Sequence, residues 1–446
     1  MYEISLKDFR GFHETEFVPI RPITILIGEN SAGKSSFLAA LKYIRDFVSM
    51  RGAPSFNKDP FQLGTFHQIA HYRGGKPGRA KEFVIKFRAD VKSKSNSSVQ
   101  KLIISALFKP IEHHALIERI SISHHGDTLA VDLTDSGVGV SISIGDGRPV
   151  YLNERIPIPK LSSPEMLSYL PFFIREIRFT TNMPRRTIVS GSSKKLQSDD
   201  SDSVNVAVRI ASLVDTLARQ MRGHSEATSA IRTKPLRTYT PGFESRDGEG
   251  SHVPFEMANL FRAKNKDPWK KIKSSIDSFG LSSEMFKEIS IKSFGLNTSD
   301  PFQIQFSSDG PKTNIVDLGY GTSQVVPIIY SVAVSPANSL FLIQQPEVHL
   351  HPKAQAALGS FFVDSYVDEK KEFILETHSD FIVDRIRNAI LQGRISRQDV
   401  SILFFERRRL DNSITEIALD DKGFPTDPPE QYRAFFIDEQ LRIMGM

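Results

Sequence analysis

The residues with the most explicit chemistry are Gly28-Glu29-Asn30-Ser31-Ala32-Gly33-Lys34-Ser35, which satisfy G-x-x-x-x-G-K-[ST] at every fixed position. Glycines let the backbone curl until successive N–H groups converge on one anion-binding concavity. A helix starting there adds the positive end of its dipole. In that arrangement Lys34 reaches the β- and γ-phosphates of a nucleotide and the Ser35 hydroxyl coordinates Mg²⁺, with Ser36 just behind. The flanks agree. Ile23-Thr24-Ile25-Leu26-Ile27 is a short apolar run of the kind found in buried parallel strands. Residues 36–48 place Phe37, Leu38, Leu41, Ile44 and Val48 on one helical face. A glycine turn with a coincidental lysine does not account for this strand–loop–helix setting.

The C-terminal third holds the other chemical groups. Asp317-Leu318-Gly319-Tyr320-Gly321-Thr322-Ser323-Gln324 precedes an apolar helix at 325–332 and reads as a loop entering a helix N-terminus, a second anion-binding device. Then come Phe341-Leu342-Ile343-Gln344-Gln345-Pro346-Glu347-Val348-His349-Leu350-His351-Pro352 and, at the end of the next strand, Leu375-Glu376-Thr377-His378-Ser379-Asp380.

In this order the motifs resemble the ABC-type ATPases of the RecF/OLD/SMC group, and within it stand-alone bacterial ATPases that carry a short C-terminal domain. Relatives serve as ATPase subunits of anti-phage systems such as Septu and PARIS. The closing Phe435-Phe436-Ile437-Asp438-Glu439-Gln440-Leu441 looks like the end of that domain. The resemblance spans roughly residues 1–50 and 230–446. It implies ATP with Mg²⁺ as ligands, Arg10 near the nucleotide, and contacts from residues 29–36. It implies that Ser323, with Gly319, Gly321 and Gln324, touches the γ-phosphate of ATP bound to an opposite protomer. His378 would sense that phosphate, and His351 would lie where the loop after Walker B crosses the interface. Two chains would then meet head-to-tail around two ATP molecules, and ATP would favour the closed state.

One departure bears on activity. The family's Walker B strand usually ends in an acidic pair, or an acid followed by glutamine, before the proline. Here Gln344 and Gln345 stand at those positions. A carboxylate normally holds the magnesium water shell or polarises the attacking water, whereas glutamine orients water but accepts a proton poorly. Three readings follow: slow hydrolysis in a binding switch, charge supplied by Glu347, or a Glu→Gln change that traps ATP. Attenuated hydrolysis, with both amides at the γ-phosphate, is the preferred one.

The elements that must position these groups give an α/β fold: an ABC-type P-loop ATPase head formed by both ends of the chain around an inserted β-rich and helical region. The expected parts are 1–50 with the P-loop, a β-rich part at 51–180, and a basic, mainly helical insertion at 181–300. Residues 301–400 would complete the head and 401–446 form a short C-terminal domain. Runs such as Phe83-Val84-Ile85-Lys86-Phe87 and Leu102-Ile103-Ile104 alternate like antiparallel strands. Residues 190–203 read as a mobile polar loop, and 204–222 as a helix.

Composition excludes several classes. The 446 residues contain no cysteine, so disulfides, thiolate zinc sites and cysteine nucleophiles are absent. No run approaches a membrane span, the N-terminus lacks signal-peptide features, and a cytoplasmic location is expected. Net charge is only +5, yet residues 181–275 hold seventeen basic against ten acidic side chains. That segment reads equally as a DNA-backbone footprint or as a solvated face. His113-His114 and His124-His125 read as exposed edge histidines, Asp199-Asp200-Ser201-Asp202 as a solvated loop, and Asp420-Asp421-Lys422-Gly423 as a hairpin turn. Gln62 and Gln68 are candidates for the glutamine that links the nucleotide to the lobe below. No nuclease pattern is recognised, so an effector nuclease or toxin would be a separate chain. The rival readings are a RecF-like DNA-repair clamp and a weakly hydrolysing ATP-dependent scaffold.

Overall fold

The computed structural model describes residues 2–49, 54–75, 78–92, 99–134, 137–156, 198–242, 245–295 and 297–433. The run 435–441 and the basic residues Arg185, Arg186, Lys194 and Lys195 lie outside them.

The chain opens with the hairpin β1 (Tyr2–Phe9) and β2 (Phe12–Glu14), followed by β3 (Val18–Ile20) and β4 (Ile23–Gly28). Next come α1 (Lys34–Ser49), the short α2 (Phe66–Ile69), and six strands: β5 (Phe83–Lys92), β6 (Val99–Ile111), β7 (His114–His124), β8 (Asp127–Thr134), β9 (Gly137–Ser143) and β10 (Val150–Ile156). After α3 (Ser198–Gln220) and β11 (Ser225–Thr228), α4 (Val253–Arg262) and α5 (Asp267–Ser283) lead into β12 (Glu288–Ser293), β13 (Phe302–Ser307) and β14 (Thr313–Asn314). The last part is α6 (Tyr320–Val334), β15 (Leu340–Gln344), α7 (Pro352–Glu369), β16 (Glu372–Glu376), α8 (Asp380–Leu391), β17 (Val400–Arg408), β18 (Asp411–Ile417) and α9 (Glu430–Arg433).

Two large sheets result. One is antiparallel, β10-β9-β8-β7-β6-β5-β1-β2, with β3 also on β1. Its strands alternate because one face is buried: Phe83, Ile85, Phe87, Ala89 and Val91 of β5 are all inside. The other runs β11-β15-β16-β4-β17-β18, parallel except for the edge strand β18. This sheet is covered on both faces, which explains its uninterrupted apolar runs. Leu26, Leu342, Ile374 and Leu403 join a core shared with α1, α3 and the antiparallel sheet. Their neighbours Ile25, Ile343, Leu375 and Ile402 face the opposite core, with α4 to α8. The two ends of the sequence thus meet in one sheet, as an ABC-type α/β P-loop head requires.

Several boundaries fall elsewhere than expected. β17 pairs with β4 in parallel from Val400 to Phe405, so the residues after 400 continue the head sheet rather than open a separate domain. β11, inside the expected insertion, is also a strand of that sheet. Residues 198–203 are helical and begin α3, because Val204, Val206 and the apolar face behind them propagate a helix forward into Asp199, Asp200 and Asp202. Residues 190–197 lie outside the described part. His124 is buried, not exposed, and bonds Gln100 Oε1 at 3.0 Å. Asp420 does form a turn, accepting from the Lys422 and Phe424 amides. Among the described residues, no helix is long and apolar enough to cross a membrane.

Candidate nucleotide site

The P-loop sits where β4 ends. Gly28 has φ of +130°, and a Cβ there would stand 2.0 Å from the Phe405 carbonyl oxygen of β17, so only glycine fits. The Glu29 amide donates to that same carbonyl at 3.2 Å, and the Arg407 amide to Glu29 Oε2 at 3.3 Å. Asn30 and Ser31 are exposed on the crest of the loop, Ala32 is buried, and Gly33 leads into α1. Lys34 is buried, and its Nζ donates to the carbonyls of Gly28 (3.0 Å) and Glu29 (2.7 Å). Burial lowers its pKa, opposed by the carboxylates of Glu376, Glu29 and Glu347.

Arg10 lies in the β1–β2 turn with φ of +54°. Its amide donates to the Ile69 carbonyl at 2.6 Å, and its own carbonyl is 2.8 Å from Nδ1 of the buried His71. The guanidinium bonds Ser36 Oγ (3.3 Å) and the Gln68 carbonyl (2.9 Å), which places it over the start of α1. Burial lowers its pKa and Arg79 adds repulsion. Gln68 spends its side-chain oxygen on the Thr65 amide, and Gln62 is exposed.

The acidic half is assembled from separate segments. Gln344 and Glu376 are register partners at the ends of β15 and β16, on the face that looks toward α1. The Ser35 hydroxyl donates to Glu376 at 2.8 Å (Oε2) and 3.0 Å (Oε1). Glu376 is buried, which raises its pKa, while the Ser35 bond and Lys34 pull it back. Gln345 turns out of the strand with φ of +42°, and its amide donates to the Glu376 carbonyl at 2.7 Å. Glu347 stands just past Pro346 and braces the neighbouring strand's exit. Its carboxylate accepts from Thr377 Oγ1 (2.8 Å) and the His378 amide (2.7 Å), so it fixes the turn that carries His378. Burial raises the pKa of Glu347; burial and then Lys34 lower that of His378.

Two residues of this half escape a reading of motifs, Glu376 and Arg232. Arg232, only 2% exposed, donates through Nη2 to the carbonyls of Gln344 (2.8 Å) and Gln345 (3.3 Å). Its backbone amide donates to Gln324 Oε1 at 3.2 Å. Burial brings its pKa down to about 10, with Glu347 opposing. In the sequence it is one arginine within a basic segment, and nothing local marks it as interior.

The Gly-Tyr-Gly-Thr-Ser-Gln motif is not a loop before a helix. Gly319 caps α6, and Gly321, Ser323 and Gln324 lie in its first turns. A Cβ on Gly321 would be 2.4 Å from the His349 carbonyl oxygen, and the Tyr320 ring meets His349 edge-on at 4.9 Å. The motif is therefore seated on the loop after β15 of the same chain. Ser323 is buried and donates to the Tyr320 carbonyl at 2.7 Å. His351 is exposed and caps α7.

A buried lysine over loop carbonyls, a hydroxyl beside a carboxylate and a helix N-terminus suit a phosphorylated ligand with a hard cation. Ser35 and the carboxylate it touches are oxygen donors of the kind magnesium takes. Among solved structures, the chain aligns with an Smc head bound to the C-winged helix domain of ScpA (TM-score 0.45, 11% identity, 94% of this chain and 98% of that one). It also aligns with a Pyrococcus furiosus Smc head with an extended coiled coil bound to the C-terminal domain of ScpA (0.43, 13%, 99% and 100%). A third is the SMC head domain from Thermotoga maritima (0.40, 9%, 93% and 98%). Comparison with curated proteins gives no match. The family model described as AAA ATPase domain matches residues 1–203 and 243–383, which take in the P-loop, both amides, Glu347, Glu376 and His378. The chain belongs to the AAA ATPase domain family.

Proposed function

We propose that the protein binds magnesium-ATP between two copies of itself, hydrolyses it slowly, and uses the ATP-closed state to control a separate nuclease or toxin effector of an anti-phage defence system. The observation that carries the nucleotide part is Lys34 and Ser35 of a complete P-loop, placed beside a buried carboxylate at the head of α1. Lys34 and the loop amides would hold the phosphates, Arg10 would flank them over Ser36, and Ser35 would be a magnesium ligand. Magnesium, when bound, supplies neutralisation of the phosphoryl oxygens.

Slow turnover follows from the groups near the γ-phosphate position. Gln345 is an amide, and Glu347 is occupied by Thr377 and His378. The amide accepts a proton poorly, and the Glu347 carboxylate is turned toward the residues that follow β16. Closure on a second copy is supported by the exposed apolar side chains Ile231, Leu236, Val316 and Tyr320, which flank the signature motif. Ser323 would have to release the Tyr320 carbonyl to meet a partner's phosphate, which would tie its contact to closure. The effector reading is supported by the motif order shared with defence ATPases. The clamp reading has less support, since Lys271 pairs with Glu369 and Lys270 with Asp267.

The test is ATP turnover and sedimentation on the same purified sample, with and without ATP, alongside co-purification with the product of a neighbouring nuclease or toxin gene. Slow turnover with an ATP-dependent shift to a dimer or larger species is expected. A species whose size ignores ATP would sink the switch, and tight, salt-dependent binding to bare DNA without an effector would favour the clamp.

A further inference from the structure

The two amides at the end of β15 leave the usual acidic position of the site without a charge, yet the site holds a carboxylate. The sheet order is β15-β16-β4, so the Walker B strand stands two places from the P-loop strand and β16 stands one. Adjacent strands are spaced about 4.8 Å. An acid on β16 is therefore one strand spacing nearer to the P-loop strand β4 than an acid on β15 at the same level. Glu376 occupies that place: it is the register partner of Gln344 on one side and of Leu26 on the other, and both its oxygens lie within 3.0 Å of Ser35 Oγ.

We propose that Glu376 is the magnesium-facing carboxylate of this ATPase, moved one strand over from Walker B, and that Gln344 is an amide because Glu376 is an acid. Register partners in neighbouring strands project to the same face, so an acid at 344 would set a second, half-buried carboxylate beside the buried Glu376. Such a pair repels, and one member would resist ionisation. An amide at 344 removes the repulsion and still offers a hydrogen-bonding group. The arrangement separates two tasks that an acidic pair on one strand performs together. Glu376 retains the cation-holding charge, while Gln345 leaves proton acceptance weak. Tight magnesium-dependent binding with slow turnover is what that separation produces.

The inference rests on the nucleotide reading above, and its test keeps the two apart. The affinity of a fluorescent ATP analogue is measured with magnesium and with EDTA, and the ratio of the two is the readout, because a ratio is insensitive to a general loss of binding. For the unaltered chain the ratio should be about tenfold or more. Glu376→Gln should bring it close to one, and adding Gln344→Asp to Glu376→Gln should restore much of it by returning the acid to Walker B. An unchanged ratio in Glu376→Gln overturns the assignment while leaving nucleotide binding intact. Loss without rescue by Gln344→Asp overturns it too, reducing Glu376 to a structural support for Ser35. If the unaltered chain binds no analogue under either condition, the nucleotide reading itself falls and takes the inference with it.

Discussion

The two halves of the candidate site are built on opposite plans. The phosphate half is continuous: β4, the loop and the first turn of α1 carry Gly28, Lys34 and Ser35 in a single run. The acidic half is scattered over Arg232, Gln344, Gln345, Glu347 and Glu376, which come from three separate segments and meet only in the folded sheet. A backbone cradle needs a fixed local path, so its residues cannot drift apart in sequence. A carboxylate only needs to arrive at a point in space, and a parallel sheet offers neighbouring strands from which to reach it.

The contrast can be broken or sharpened experimentally. The largest effect should come from Lys34→Ala, which removes the buried cation of the local half. ATP turnover should fall about a hundredfold or more, and any ATP-driven change in sedimentation should vanish with it. Next, Gly28→Ala pushes a methyl into the Phe405 carbonyl at a φ that disfavours any other residue. Urea unfolding should show a loss of about 3 kcal/mol, since the clash is with backbone that cannot yield. Arg232→Met would strip the Gln344 and Gln345 carbonyls of their shared donor and remove one positive charge near Glu347. A loss of about 2 kcal/mol is expected by the same method. If Arg232→Met proves neutral, the scattered half is not held together in the way described. Gln344→Glu should have the smallest effect, changing kcat by less than about tenfold because it adds charge without supplying a base at 345. A rise of several hundredfold would mean that Walker B alone limits the reaction.

The same division governs what was legible in the residues. The P-loop, its flanking strand and helix, and the strands at 83–87, 102–104 and 401–405 follow from motif and periodicity, and the structure places elements at each of them. The acidic half is less legible, for a specific reason. The amides at 344 and 345 are visible, but Glu376, the carboxylate that meets Ser35, stands thirty-two positions beyond Gln344, beside the more conspicuous His378. Arg232 was hidden differently, because a basic residue among other basic residues gives no sign that it is buried. The boundary at 401 failed for a related reason: an apolar strand late in the chain looks the same whether it opens a new domain or closes the sheet of an old one.

Sequence by itself determined the phosphate cradle and the α/β class, since each depends on local backbone geometry and the spacing of apolar side chains. Tertiary structure alone decided that β16 lies between β15 and β4. That strand order puts Glu376 against Ser35 and Glu347 against the turn that carries His378. Strand order is set by how two apolar faces are buried at once, a property of the whole sheet that no single segment carries.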